Sequence, residues 1–166
     1  MSRGTEQPGA PLVCPPQKVE PAWIDYNGHM NMAYYHVVFD RALDHVYDLL
    51  GVGADYTARG AGACFTLEVH VTYLAELVLN DPVRVEFQLL DQDDKRLHFF
   101  ERMYHAERGD LAATSEQIAL NVALPDRRAA PFPEPALDRI RALMSAHRTL
   151  PLPEQMGRTI GIRRRR

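Results

Sequence analysis

Trp23-Ile24-Asp25-Tyr26-Asn27-Gly28-His29-Met30-Asn31 sets a carboxylate in a turn directly ahead of the one long amphipathic stretch of the chain. That stretch, Ala33 to Leu50, repeats Tyr34, Val37, Val38, Ala42, Val46, Leu49 and Leu50 at steps of three and four, the period of a helix with one buried face. Gly51 and Gly53 end it. A helix start leaves about four backbone N–H groups without intrahelical partners and carries partial positive charge, so a carbonyl oxygen gaining charge there is stabilised. With Asp25 as nucleophile or base, turn and helix start together form a minimal site for attack on a carbonyl.

Beyond the helix the period changes to two. Phe65, Leu67, Val69, Val71 and Tyr73 alternate with Thr66, Glu68, His70 and Thr72, which predicts a half-buried strand over Cys64 to Leu74. Val83, Val85, Phe87 and Leu89 alternate in the next run, and Asp91-Gln92-Asp93-Asp94 turns it. Leu97 to His105 and Leu111 to Leu124 read as two more strands around the Arg108-Gly109-Asp110 turn, so the meander is antiparallel. With a first strand near Val13 to Val19, the expectation is an α+β fold: about five strands curled around one central helix. A last helix is expected near Ala136 to Ala146, after the proline-rich link 131–135. Residues 12–147 are then the single domain, flanked by a disordered segment 1–11 and a C-terminal extension 148–166 with a basic tail.

Composition narrows the function classes. At 46% hydrophobic and 25% charged residues the chain is ordinary for a globular domain. The formal charge of −3 includes the four arginines Arg163 to Arg166, so residues 1–162 carry −7. An acidic body disfavours nucleic acid, which needs a basic face. The N-terminus lacks the basic and apolar regions of a signal peptide and no apolar run is long enough to span a membrane, so a cytoplasmic protein is expected. Cys14 and Cys64 read as unpaired thiols. The seven histidines show no metal-ligand spacing, and neither a Gly-rich phosphate loop nor a Gly-x-Ser-x-Gly elbow is present, so no metal and no cofactor is expected.

Asp25-Tyr26-Asn27-Gly28-His29-Met30-Asn31, followed by Tyr34-Tyr35 and Phe39, resembles the signature of hot-dog-fold acyl-CoA thioesterases of the 4-hydroxybenzoyl-CoA thioesterase type. The likeness covers roughly residues 12 to 147. A narrower one, to betainyl-CoA thioesterases and to the thioesterase-like region fused to some L-carnitine dehydrogenases, rests on four segments. They are 23–31, Leu67 to Leu74, Lys95-Arg96-Leu97-His98, and Gly157-Arg158-Thr159-Ile160-Gly161-Ile162. The resemblance implies thioester hydrolysis with coenzyme A as part of the substrate, Asp25 attacking the carbonyl or activating water, and a homodimer or dimer of dimers with the site between subunits. Fold and motif fix reaction type better than acyl group.

Each candidate residue has a bland reading beside the sharp one. Asp25 can be catalytic or a turn-holding Asp. Backbone N–H groups of Asn31, Met32 and Ala33 are the expected oxyanion donors, with Gly28 permitting close approach. A thiol of pKa about 8.5 leaves without a strong general acid, so little else is needed. His29 can bind the thioester oxygen, orient Asp25 or only satisfy the turn, while Asn31 reads as the N-cap. Glu68 and His70 share a strand face that is wet in one reading and faces Asp25 of a second subunit in the other. Trp23, Tyr26, Tyr34, Tyr35 and Phe39 either fill core or offer faces to a quaternary ammonium. Lys95, Arg96 and the tail arginines are solvated or clamp CoA phosphates. The competing activities are a hot-dog hydratase, which would leave the thioester intact, and a non-catalytic acyl-CoA binding module.

Overall fold

The computed structural model describes residues 9–162 and Arg164. Seven strands form one antiparallel sheet: β1 (Leu12–Val13), β2 (Gln17–Lys18), β3 (Gly62–Tyr73), β4 (Pro82–Gln92), β5 (Arg96–His105), β6 (Leu111–Ala123) and β7 (Arg128–Ala129). The main path runs β1-β4-β5-β6-β3, with β2 also on β4 and β7 on β6. Across it lies α1 (Met32–Leu50); α2 (Ala54–Ala58) follows, and α3 (Glu134–His147) packs on β4. Among the described residues no helix is long and apolar enough to cross a membrane. The α+β architecture of a curled sheet and one long helix is the one expected.

Four local features depart from that outline or add to it. The single first strand is broken into β1 and β2, because Pro15-Pro16 between them cannot donate to a ladder. The short helix α2 and the hairpin strand β7 carry no clear apolar period in sequence. The alternation along β3 does not belong to one face. A bulge between Thr66 and Glu68 shifts the register, so Thr66 pairs with buried Ala119 on the helix side, while Glu68 and His70 pair with Ile118 and Glu116 on the outer side. Phe65, paired with Leu120, falls on that outer face and Val69 on the inner one.

The fourth concerns the extension beyond α3. It crosses the outer face of the sheet: Gln88 donates to the Pro151 carbonyl at 3.2 Å, and Gly157 N–H donates to Glu116 Oε2 at 2.6 Å. Beneath it Phe100 is buried on a face that would otherwise be wet. Arg163, Arg165 and Arg166 of the basic tail, and residues 1–8 of the N-terminal segment, lie outside the described residues.

The core sits between α1 and the inner face of the sheet. Val38, Phe39, Ala42, Leu43 and Val46 of the helix meet Phe87, Leu89, Leu97, Phe99 and Met103 of the sheet, all buried. Burying such a side chain contributes roughly 1.5–3 kcal/mol, so this layer fixes where α1 begins and hence where the turn before it stands.

Candidate active site

Residues 23–31 reach α1 through a pinned loop. Asp25 N–H donates to the His29 carbonyl and Gly28 N–H to the Asp25 carbonyl, both at 3.0 Å, closing a tight turn in which Gly28 takes φ +81°. Only glycine adopts that conformation without strain. Asn31 N–H donates to the Trp23 carbonyl at 2.9 Å and Met30 N–H to the Leu77 carbonyl at 2.7 Å, so both ends are fastened. Asp25 Oδ1 accepts from Asn27 N–H at 2.8 Å, which orients the carboxylate and leaves its other oxygen for chemistry.

At the helix start the expected oxyanion donors reduce to one. Asn31 is the N-cap: its Oδ1 takes Ala33 N–H at 3.0 Å, and its carbonyl takes Tyr34 N–H at 3.0 Å. With Asn31 N–H spent on Trp23, only Met32 N–H has no partner among the described residues. Met32 is 61% exposed and stands at the positive end of α1. The first turn carries no acidic side chain to neutralise it.

His29 Nε2 lies 3.1 Å from Glu76 Oε2, a partner that was not visible in the sequence. Glu76 follows β3 in the segment Ala75 to Leu77, which also binds the turn through Met30 and through Tyr35. The Tyr35 hydroxyl accepts from Leu77 N–H and donates to the Ala75 carbonyl, both at 3.2 Å. Tyr35 also meets Tyr73 edge-on at 5.2 Å, and the Tyr73 hydroxyl lies 3.3 Å from His36 Nε2 and 3.4 Å from the Met32 carbonyl.

The other candidates are scattered. Trp23 is buried, stacked on Tyr34 at 5.7 Å and covered by Arg41 at 4.9 Å, so its face already holds a cation. Tyr26 stands 97% exposed at the tip of the turn, and Phe39 is core on the floor of a cavity beside α1. Glu68 and His70 line an outer recess with His98, Glu116 and Arg158, on the sheet face away from α1. There His98 Nε2 contacts Glu116 Oε1 at 2.9 Å. Lys95 and Arg96 sit in the β4–β5 turn, where Asp93 accepts both of their backbone N–H groups and pairs with the Arg96 guanidinium at 2.6 Å. Burial pushes the thiols of Cys14 and Cys64 up to about 12, which disfavours the thiolate form a nucleophile needs.

A group the sequence reading passed over lies under α1. Glu101 is fully buried on the inner face of β5, its Oε2 accepting from Gln117 Nε2 at 2.9 Å and its Oε1 without a partner. Burial, with the charge of Asp40 adding to it, raises its carboxyl well above the usual range. The signal was present: Leu97, Phe99, Glu101 and Met103 share one face, and a carboxylate in that series is out of place.

Residues 19–140 match the thioesterase-like superfamily. The betainyl-CoA thioesterase of Pseudomonas aeruginosa is 42% identical over 87% of this chain and 91% of its own length. An L-carnitine dehydrogenase/betainyl-CoA thioesterase of Rhizobium sp is 37% identical over 89% of this chain, which spans 29% of that larger protein. Among solved structures, a hypothetical protein from Staphylococcus aureus in complex with CoA superposes with TM-score 0.86 at 33% identity, covering 93% of this chain and 98% of that one. The chain belongs to the thioesterase-like superfamily and is an acyl-CoA thioesterase of the hot-dog fold.

Proposed function

We propose that this thioesterase hydrolyses betainyl-CoA to glycine betaine and CoA, with Asp25 as nucleophile or general base. The observation that carries the reading is the pairing of a half-committed Asp25 carboxylate with the single unpartnered Met32 N–H at the start of α1. In the reaction the free Asp25 oxygen attacks the thioester carbonyl or takes a proton from the attacking water. The carbonyl oxygen, becoming negative, accepts from Met32 N–H in the field of the helix. The carbon–sulfur bond then breaks and CoA departs largely as thiolate; where Asp25 is the nucleophile, water then cleaves the acyl–aspartyl anhydride, releasing the acid and restoring the carboxylate. His29, held by Glu76, stands in the same turn and supplies a second polar group there. No cofactor is required beyond the CoA that the substrate carries.

The betainyl group is suggested by the 42% identity to the Pseudomonas enzyme along nearly its whole length. A cytoplasmic setting fits a substrate made and used as a CoA ester. A second copy of the chain is part of the proposal. Among the described residues β3, 12 residues long, ends the sheet with no strand on its outer edge, and Phe65, Leu67, Val69, Tyr73 and Leu74 are each at least 40% exposed along it. A long apolar edge is a template for pairing, so two sheets joined at β3 would cover it. Thiol release from betainyl-CoA, acetyl-CoA, a medium-chain acyl-CoA and 4-hydroxybenzoyl-CoA tests the substrate. Preference for betainyl-CoA supports it, and faster turnover of another thioester retires the acyl assignment while keeping the mechanism. Light scattering of an active monomer would defeat the dimer.

A further inference from the structure

A cavity of about 260 Å³ opens between α1 and the edge of the sheet, lined by His36, Phe39, Asp40, Thr66, Val69 and Gln117 among others. That is the small end of ligand pockets, suited to a compact acyl group. Its polar groups are Asp40, Gln117, Thr66 and His36. Asp40 is an exposed carboxylate on the helix side. Gln117 is 7% exposed, and its Nε2 is spent inward on Glu101 Oε2 at 2.9 Å and Ser115 Oγ at 3.0 Å, which leaves its carbonyl oxygen as the acceptor at the cavity wall. Behind it stands Glu101, fully buried with Oε1 unpartnered. Neither lysine nor arginine lines the cavity among the described residues.

A carboxyl buried in this way is costly, and a leucine of similar size would pack better against Phe99 and Met103. Its presence therefore calls for a role beyond packing. A wall with the Asp40 carboxylate at its mouth and the Gln117 carbonyl further in, and with no lysine or arginine among the described lining residues, attracts positive charge.

We propose that this cavity receives the positively charged end of the acyl group, with Asp40 as its counter-charge and Gln117, backed by Glu101, as the inner acceptor. The proposal rests on the thioesterase reading above and adds the residues that select the acyl group. The cavity adjoins the helix start: His36 on its wall lies 3.3 Å from the Tyr73 hydroxyl, which lies 3.4 Å from the Met32 carbonyl, and Asp40 follows His36 one turn along the same face of α1. Glu101 acts through Gln117 and is a positioning residue; Asp40 determines specificity directly.

The test compares non-hydrolysable thioether analogues of betainyl-CoA and of its uncharged carbon isostere, in which a tert-butyl group replaces trimethylammonium. Wild type should bind the cationic analogue at least tenfold tighter than the neutral one. Asp40→Asn should bring the ratio close to one, and Glu101→Leu, which removes the acceptor that orients Gln117, should reduce it severalfold, each through weaker binding of the cationic analogue. Equal affinity of wild type for the two analogues, or an equal loss of both in the variants, overturns the proposal. Asp40 is on the surface of α1, so its variant keeps the test decisive if Glu101→Leu rearranges the core. Binding selectivity is read without turnover, whereas failure to hydrolyse betainyl-CoA would strike the substrate assignment instead.

Discussion

The two ends of α1 are built for opposite purposes. At its C-terminus Gly51 takes the left-handed conformation, its N–H and that of Val52 return to the Asp48 and Tyr47 carbonyls, and the Arg139 guanidinium donates to the Leu50 carbonyl at 3.3 Å. Donors, acceptors and dipole are answered there. At the N-terminus Asn31 answers Ala33 and Tyr34 and stops, leaving Met32 N–H open and the positive end without an acidic side chain. The closed end holds the fold together. The open end keeps hydrogen-bonding capacity in hand, and it is the end beside which Asp25 stands.

That contrast can be broken one end at a time. The largest effect should come from Met32→Pro. Proline is tolerated at the first helical position, and Asn31 already has the extended backbone (φ −61°, ψ 143°) that a following proline demands. The substitution thus deletes the free N–H with little strain, and kcat should fall about 10²-fold with melting almost unchanged, the scale of one lost oxyanion donor. Gly51→Ala should do the reverse. A Cβ there meets the Arg139 guanidinium at φ +79°, so thermal or denaturant unfolding should register about 1–2 kcal/mol of lost stability while kcat holds. Asn31→Ala sits between them, costing about 1 kcal/mol of stability, with a smaller loss of rate as the first turn frays.

Glu101 gives a fourth, smaller handle from the middle of the same helix. Its folded carboxyl keeps a proton that the unfolded chain releases above about pH 4.3. The unfolded state therefore binds fewer protons in that window, and stability present below it declines as pH rises toward the raised folded value. Glu101→Gln should accordingly melt higher than wild type at pH 7 and match it near pH 4, as read by calorimetry at the two pH values.

Much of this was legible in the sequence because it depends on local rules. The 3.6-residue period gave α1 to within a residue, the period of two gave β4 to β6, and the Asp25 to Asn31 turn announced itself by Gly28 and by the cap. What escaped depends on what covers what. The alternation along β3 looked continuous, yet the bulge at Leu67 moves Thr66 to the inner face and leaves Glu68 and His70 on the outer one. An apolar alternation does not reveal that its edge lies bare in one chain, nor that residues 151–157 lie across the outer face and bury Phe100. The count of oxyanion donors was likewise invisible, because it turns on where the cap sends its own bonds.

The central claim is that the Asp25 carboxylate performs chemistry on a thioester. Thiol release from the preferred acyl-CoA by wild type and Asp25→Asn tests it most directly, since the amide keeps the shape of the turn and its Oδ1 can still accept from Asn27 N–H. The account predicts a fall in kcat of at least about 10³-fold with intact folding and little change in binding of a thioether analogue. Near-normal turnover by Asp25→Asn would contradict it and reduce Asp25 to a residue that shapes the turn.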